Sequence, residues 1–256
     1  MKNLAVEIFN LNKKFKWYER SQSLKEGFAH LFKNPKQKWE WDVLKNINLD
    51  IEQGEKVAII GRNGCGKTTL LKIISGIHFP TSGKINIYSK RLLALIELGV
   101  GFYPDLTGRE NIFLNWAFNG LPKSELKKKL DSIIAFSGVE EFLDTPLKYF
   151  SSGMTTRLGF SIAIHADPDL LIVDEVLAVG DAEFQAQCYE KIDEVCKTGT
   201  TLILVSHNLA DVERVTERAI WIEKGEIAYD GLVKPAINKY LKHYNMSQYK
   251  KLEAAL

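Results

Sequence analysis

A glycine-rich run, Gly61-Arg62-Asn63-Gly64-Cys65-Gly66-Lys67-Thr68, fits the spacing G-x-x-x-x-G-K-[ST]. Glycines let successive backbone N–H groups turn inward around phosphate oxygens, and the N-terminus of a following helix adds partial positive charge. On this reading Lys67 reaches the β- and γ-phosphates of a nucleotide, the Thr68 hydroxyl ligates Mg²⁺, and Thr69 continues the binding loop. A chance glycine turn before a helix is the plainer alternative. The apolar run before the loop and the helical pattern after it argue against that. Cys65 admits two readings, a redox-sensitive thiol beside the phosphates or, more simply, a small residue at a variable position.

Leu170-Leu171-Ile172-Val173-Asp174-Glu175 is an apolar run ending in two carboxylates. At the end of such a strand Asp174 can hold Mg²⁺ through water, and Glu175 is a candidate general base for an attacking water. Alone, the run reads equally well as a buried strand leading into an acidic turn; the phosphate loop upstream favours the functional reading. Tyr149-Phe150-Ser151-Ser152-Gly153-Met154 is a polar glycine turn ahead of an apolar helix, and by itself it is only a helix N-cap. His207, in Val205-Ser206-His207-Asn208, is by itself a strand-terminal histidine.

These groups need a scaffold, and hydrophobic patterning supplies an outline. Residues 5–9 and 47–51 alternate apolar and polar, as half-buried strands do. Residues 56–60 form a short apolar strand after the turn Gln53-Gly54-Glu55, and 68–75 a helix ended by Gly76. Residues 170–173 and 202–205 are continuous apolar runs, the pattern of buried parallel strands. Residues 219–222 and 226–229, joined by Glu223-Lys224-Gly225, read as a final hairpin, followed by a helix from about Lys234. Between about 109 and 165 the pattern is mostly helical, with a lysine-rich outer face along 121–136. The expected fold class is α/β, a core with a helical insertion.

Composition bounds the answer further. The chain has 256 residues, 45% hydrophobic and 26% charged, enough for one large domain or a domain with a subdomain. A net charge of +2 gives no electrostatic case for nucleic acid. Cys65, Cys188 and Cys196 lack metal-ligand spacing and read as free thiols of a reducing cytosol. No stretch approaches the roughly 18 uncharged apolar residues of a membrane span.

In this order and spacing the motifs resemble the nucleotide-binding subunits of ABC transporters, over residues 6–240. Ser151-Ser152-Gly153-Met154 stands where that family carries its signature, usually Ser-Gly-Gly-Gln. Ala178-Val179-Gly180-Asp181 falls at the D-loop and His207 at the switch histidine. The resemblance implies a P-loop NTPase core with an antiparallel β subdomain and an inserted α-helical signature subdomain. It also implies ATP and Mg²⁺, and a homodimer in which two head-to-tail subunits sandwich two ATP. Ser151, Ser152, Gly153 and Met154 of one subunit would then meet the ATP held by Lys67 of the other. His207 would hold the γ-phosphate and the attacking water in line with Glu175, and Asp181 would couple the two sites.

Three segments narrow the resemblance: the Tyr-Phe-Ser-Ser-Gly-Met signature, Glu175-Val176-Leu177-Ala178-Val179-Gly180-Asp181, and Leu98-Gly99-Val100-Gly101-Phe102 through Leu106-Thr107-Gly108-Arg109-Glu110-Asn111. They are similar to ATPases that export bacterial cell-surface polysaccharides of O-antigen, teichoic-acid and capsule type. That implies a motor subunit at the cytoplasmic face of the inner or plasma membrane. It would act with an integral membrane transporter subunit, through which a lipid-linked polysaccharide is engaged. Where most ABC subunits have a glutamine that touches Mg²⁺, this neighbourhood offers Glu97, aligned to within about a residue, as a further candidate ligand. The rivals are a soluble ABC ATPase acting on ribosomes or DNA and an importer ATPase. The chain has neither the paired ATPase halves nor the long coiled-coil insertion usual in the first. The polysaccharide-type motifs argue against the second.

Residues 1–240 are expected to form the ATPase domain, with a helical subdomain at about 109–165 and an N-terminal amphipathic insertion at about 16–41. Residues 241–256 would be a helical tail, of which 252–256 read as a cloning remnant. Some O-antigen ATPases carry a following carbohydrate-binding domain; unless one has been removed, export without recognition of a capped chain end is expected. From Lys13 to Glu40 there are eight Lys or Arg against three Glu, interleaved with aromatics. Leu24, Phe28, Leu31 and Phe32 share one face of a short helix that Pro35 ends. That helix is expected at the membrane surface beside the transporter subunit, the alternative being a helix folded onto this protein. One aromatic here should stack on adenine: Phe15 by its place after the first strand, with Tyr18 and Trp41 as rivals and a core role for Phe15 as the alternative.

Overall fold

The computed structural model describes residues 3–18, 37–96, 101–174 and 181–244. The runs expected to be buried strands are β3 (Lys56–Ile60), β6 (Leu170–Asp174) and β7 (Thr201–Val205), joined by β5 (Leu92–Leu95), β8 (Arg218–Glu223) and β9 (Glu226–Leu232). They make a six-stranded sheet in the order β5-β6-β7-β3-β8-β9. All neighbours pair in parallel except β9, which returns antiparallel to β8. Every residue of β6 and β7 is buried, as strands covered on both faces must be.

A second, three-stranded antiparallel sheet has β1 (Leu4–Tyr18) between β2 (Gln37–Glu52) and β4 (Ser82–Ile87). The strands expected at 5–9 and 47–51 are only the inner parts of β1 and β2. Both continue outward as a ribbon, so residues 16–18 and 37–41, read from composition as part of an amphipathic insertion, are strand. The reason is a period of two. Lys14, Phe15, Lys16 and Trp17 stand opposite Asp42, Trp41, Glu40 and Trp39. Charges therefore share one face and rings the other. Lys14 pairs with both Glu40 and Asp42 at 3.2 Å, and Trp17 packs on Trp39 with centroids 6.0 Å apart. Leu24, Phe28, Leu31 and Phe32 of the expected helix lie outside the described residues.

The helices are α1 (Lys67–Ile74), α2 (Gly108–Phe118), α3 (Lys123–Ser137), α4 (Ser152–Ile164), α5 (Ala182–Lys197), α6 (Leu209–Val215) and α7 (Val233–Tyr244). Apolar packing divides into three layers. One joins the two sheets and α1 through Val6, Ile8, Ile47, Ile59 and Leu70. Another lies under α2 to α5, around Trp116, Phe160 and Ile192. The third seats α6 and α7 on Ala58, Ile60 and Trp221. Among the described residues no helix is long and apolar enough to cross a membrane.

Candidate nucleotide-binding site

The glycine run links the end of β3 to the start of α1, where the sequence put it. Its backbone demands glycine: φ is +152° at Gly61, +78° at Gly64 and +112° at Gly66. Space demands it too. A Cβ on Gly61 would lie 2.4 Å from the Ile222 carbonyl oxygen, and one on Gly66 would lie 2.7 Å from Leu44 Cδ2. No side chain caps the first turn of α1, so its amides are available to an anion at the helix's positive end. Lys67 is 5% exposed, and its Nζ donates to the carbonyl oxygens of Gly61 at 2.8 Å and Arg62 at 3.2 Å. A buried ammonium held by the loop's own carbonyls lies beside the place where phosphates would replace them.

A cleft of about 580 Å³ opens in front of this loop, within the usual range for small-molecule sites. It gathers Phe15, Asn63, Gly64, Gly66, Lys67, Thr68, Thr69 and His207, all expected from the sequence. Trp41 and Val43 also line it; Val43 was missed. The signal was available in the i, i+2 spacing of Trp41 and Val43, which puts both on one face of β2. Phe15 and Trp41 are direct cross-strand partners, Phe15 being 41% and Trp41 60% exposed. Phe15 therefore faces the cleft rather than the core. It packs edge-on against His78 at 5.8 Å, with the Lys13 ammonium 4.8 Å from its ring centre.

Arg62 and Cys65 border a second cleft of about 460 Å³, whose lining shares Asn63, Gly64 and His207 with the first. The Cys65 thiol is buried, which pushes its pKa up despite nearby Lys67. That chemistry fits the small-residue reading of Cys65 rather than a reactive thiolate. Asp174 ends β6 at 8% exposure, paired across the sheet with Val205 two residues before His207. The residues fit a Mg–nucleotide: glycine-only turns, uncapped amides, a lysine, a hydroxyl and a buried carboxylate at adjacent strand ends. Glu97 and Glu175 lie outside the described residues.

The signature residues are elsewhere. Ser151 is the N-cap of α4, its Oγ accepting from Met154 N at 3.2 Å, while Ser152 and Gly153 form the first turn with Met154. Among the described residues none of the four lines either cleft. Asp181 is held within its own chain. It caps α5 through Phe184 N at 2.9 Å and pairs with Arg157 of α4 at 2.6 Å. The Phe184 amide, followed by Arg157, holds its carboxyl below the usual range. Arg157, with its guanidinium 4.8 Å from the centre of the Phe184 ring, ties the signature helix to the segment entering α5. Ala178, Val179 and Gly180 lie outside the described residues.

Comparison with known proteins agrees with this geometry. The profile of the family described as ABC transporter matches residues 44–178. An O-antigen export system ATP-binding protein of Klebsiella pneumoniae is 40% identical over 242 residues, covering 92% of this chain and 97% of the relative. A teichoic acids export ATP-binding protein of Listeria monocytogenes is 38% identical over 241 residues, covering 93% and 70%. Among solved structures, an ATP-binding subunit of an ABC transporter superposes with a TM-score of 0.74 at 23% identity, covering 92% and 93%. A dimeric ATP-binding cassette in a post-hydrolysis state with ADP and Pi gives 0.70 at 21%, covering 89% and 98%. The last two speak to the fold alone. With the loop, the strand-end carboxylate and the signature helix in place, the chain belongs to the ABC transporter family, among the ATP-binding subunits of surface-polysaccharide exporters.

Proposed function

We propose that the chain is the ATP-hydrolysing motor of an exporter that moves a lipid-linked surface polysaccharide, of O-antigen or teichoic-acid type, across the cytoplasmic membrane. The observation that carries the ATPase reading is buried Lys67 on the carbonyls of Gly61 and Arg62, at the uncapped head of α1. The export reading rests on relatives whose names state export of those polymers.

In this reading the base stacks on Phe15, with Trp41 beside it, and the amides of residues 61–69 receive the phosphates. Lys67 moves from its carbonyls to the β- and γ-phosphates. Thr68 and Asp174 would hold Mg²⁺, with Glu97 a further candidate, and the ion would neutralise charge on the phosphate oxygens. Glu175 takes a proton from the attacking water, and His207 orients that water and the γ-phosphate. Ser151, Ser152, Gly153 and Met154 of a second copy complete the site, and Asp181 lies on the path between the two. The pair works at the cytoplasmic face of the membrane, against an integral membrane subunit that handles the polymer. The domain boundaries expected from the sequence, including a helical unit at about 109–165, belong to the same proposal.

Glu175→Gln should bind ATP with parent affinity, form a stable ATP-dependent dimer, and lose about 10²–10⁴-fold in turnover. Equilibrium binding, size exclusion with ATP and phosphate release measure these. Hydrolysis at the parent rate would remove Glu175 from the role of base. Co-purification of the chain with an integral membrane protein, and loss of surface polymer in a strain carrying Lys67→Ala, test the export reading.

A further inference from the structure

The phosphate loop has a second support, from residues that do not line the nucleotide cleft. Arg62 lies between Gly61 and Asn63, and its guanidinium sits 5.3 Å from the centre of the Tyr244 ring at the end of α7. The Tyr244 hydroxyl donates to Glu223, the last residue of β8. Its ring also packs against Tyr240 at 5.2 Å and His243 at 4.7 Å. The strand that carries Glu223 is the one the loop rests on, because Ile222 O is the atom a Cβ at Gly61 would strike. At its other end Arg62 is held by the bond from Lys67 Nζ to its carbonyl oxygen, 3.2 Å. One residue thus connects the phosphate-binding lysine to the C-terminal helix.

We propose that Tyr244 and Glu223 are positioning residues of the ATPase site: through Arg62, helix α7 holds the first turn of the phosphate loop in its nucleotide-ready shape. When Lys67 leaves for a phosphate, the carbonyls of Gly61 and Arg62 lose their donor. A guanidinium parked on an aromatic ring keeps that peptide in place while the exchange occurs. Without the anchor the 61–62 segment samples other shapes, and ATP must select the competent one, which weakens binding by the fraction lost. The effect belongs to ground-state binding, so KM should move and kcat should not. This inference rests on the ATPase reading of the same site.

The test is a double-mutant cycle on the full chain with Tyr244→Leu, Arg62→Gln and the pair, reading the Kd for Mg–ATP and the steady-state constants. Each single change should raise Kd and KM roughly two- to fivefold, the size of an exposed cation–ring contact, with kcat within about twofold. The double variant should be no worse than the weaker-binding single. Tyr244→Phe, which keeps the ring and loses the bond to Glu223, should fall between parent and Tyr244→Leu, and guards against a Leu variant that folds poorly. Single effects that multiply in the double, an unchanged Kd, or a fall in kcat at constant KM would each overturn the proposal. Lys67→Ala serves as the control. If it binds ATP like the parent, the ATPase reading itself fails. If it abolishes binding while the cycle is additive, only the role of α7 fails.

Discussion

An alanine at position 66 would have to adopt φ +112° and push a methyl to 2.7 Å from Leu44 Cδ2 and 3.0 Å from Val43 O. The backbone strain alone costs about 1–3 kcal/mol, and relieving it would turn the peptide that starts α1. Gly66→Ala is therefore expected to weaken ATP binding at least tenfold and lower the melting temperature, measured by titration calorimetry and thermal melts. At this scale the loop was legible because its chemistry is local: eight consecutive residues carry the turn, the lysine and the hydroxyl. Phe15 was named as the candidate stacking ring with Trp41 as a rival, but that the two share a site was not legible. Phe15 and Trp41 are 26 positions apart, and only the strand register makes them neighbours over one cleft.

Helix α4 carries the signature at its start and a buried histidine at its end. His165 is the C-cap; its Nδ1 lies 2.8 Å from Ser161 O, and its ring packs edge-on against Phe136 at 5.5 Å. Burial depresses its pKa below the ordinary 6.5, with Lys191 and Lys129 adding to the shift and Glu194 opposing it. The folded state thus favours neutral imidazole. Below about pH 6.5 the unfolded chain binds the proton more readily, so this contribution is complete above that pH and is lost as pH falls toward the folded pKa. Melting temperature should drop by a few degrees between pH 7 and 5.5, and His165→Gln should flatten that slope. Differential scanning calorimetry across the range checks it; an equal slope in both proteins removes His165 as the cause. Among elements, the buried strands β6 and β7 were legible from uninterrupted apolar runs. The outer halves of β1 and β2 were obscured because their basic, aromatic composition outweighs a two-residue period only four residues long. What the tertiary structure adds is a partner strand with matching charges and rings.

For the whole molecule, one chain offers a glycine loop built to hold phosphates, in the proposed reading, and a signature helix that does not line that loop's cleft. In the proposed head-to-tail pair one copy's α4 would meet the other's loop, so each site would take one half from each subunit. Lys67→Ala and Gly153→Asp should each be inactive as homodimers. Mixed together they should regain roughly a quarter of the parent turnover, since about half the dimers are mixed and each mixed dimer has one intact site. Phosphate release from the mixture against the separate proteins measures this. No recovery would mean that the halves of a site come from one chain.

The sequence by itself determined the phosphate loop, the strand-end carboxylate Asp174, the α/β core and the family. Each is written in contiguous residues whose spacing dictates their local conformation. Only the tertiary structure decided that Phe15 and Trp41 stand side by side over one cleft, that Asp181 is committed to Arg157 of its own signature helix, and that Arg62 reaches Tyr244 across 182 positions. Those are contacts between distant segments, set by strand register and helix packing, and no local pattern encodes them. The loop that looked self-sufficient from its eight residues is a turn whose Arg62 rests against the last helix.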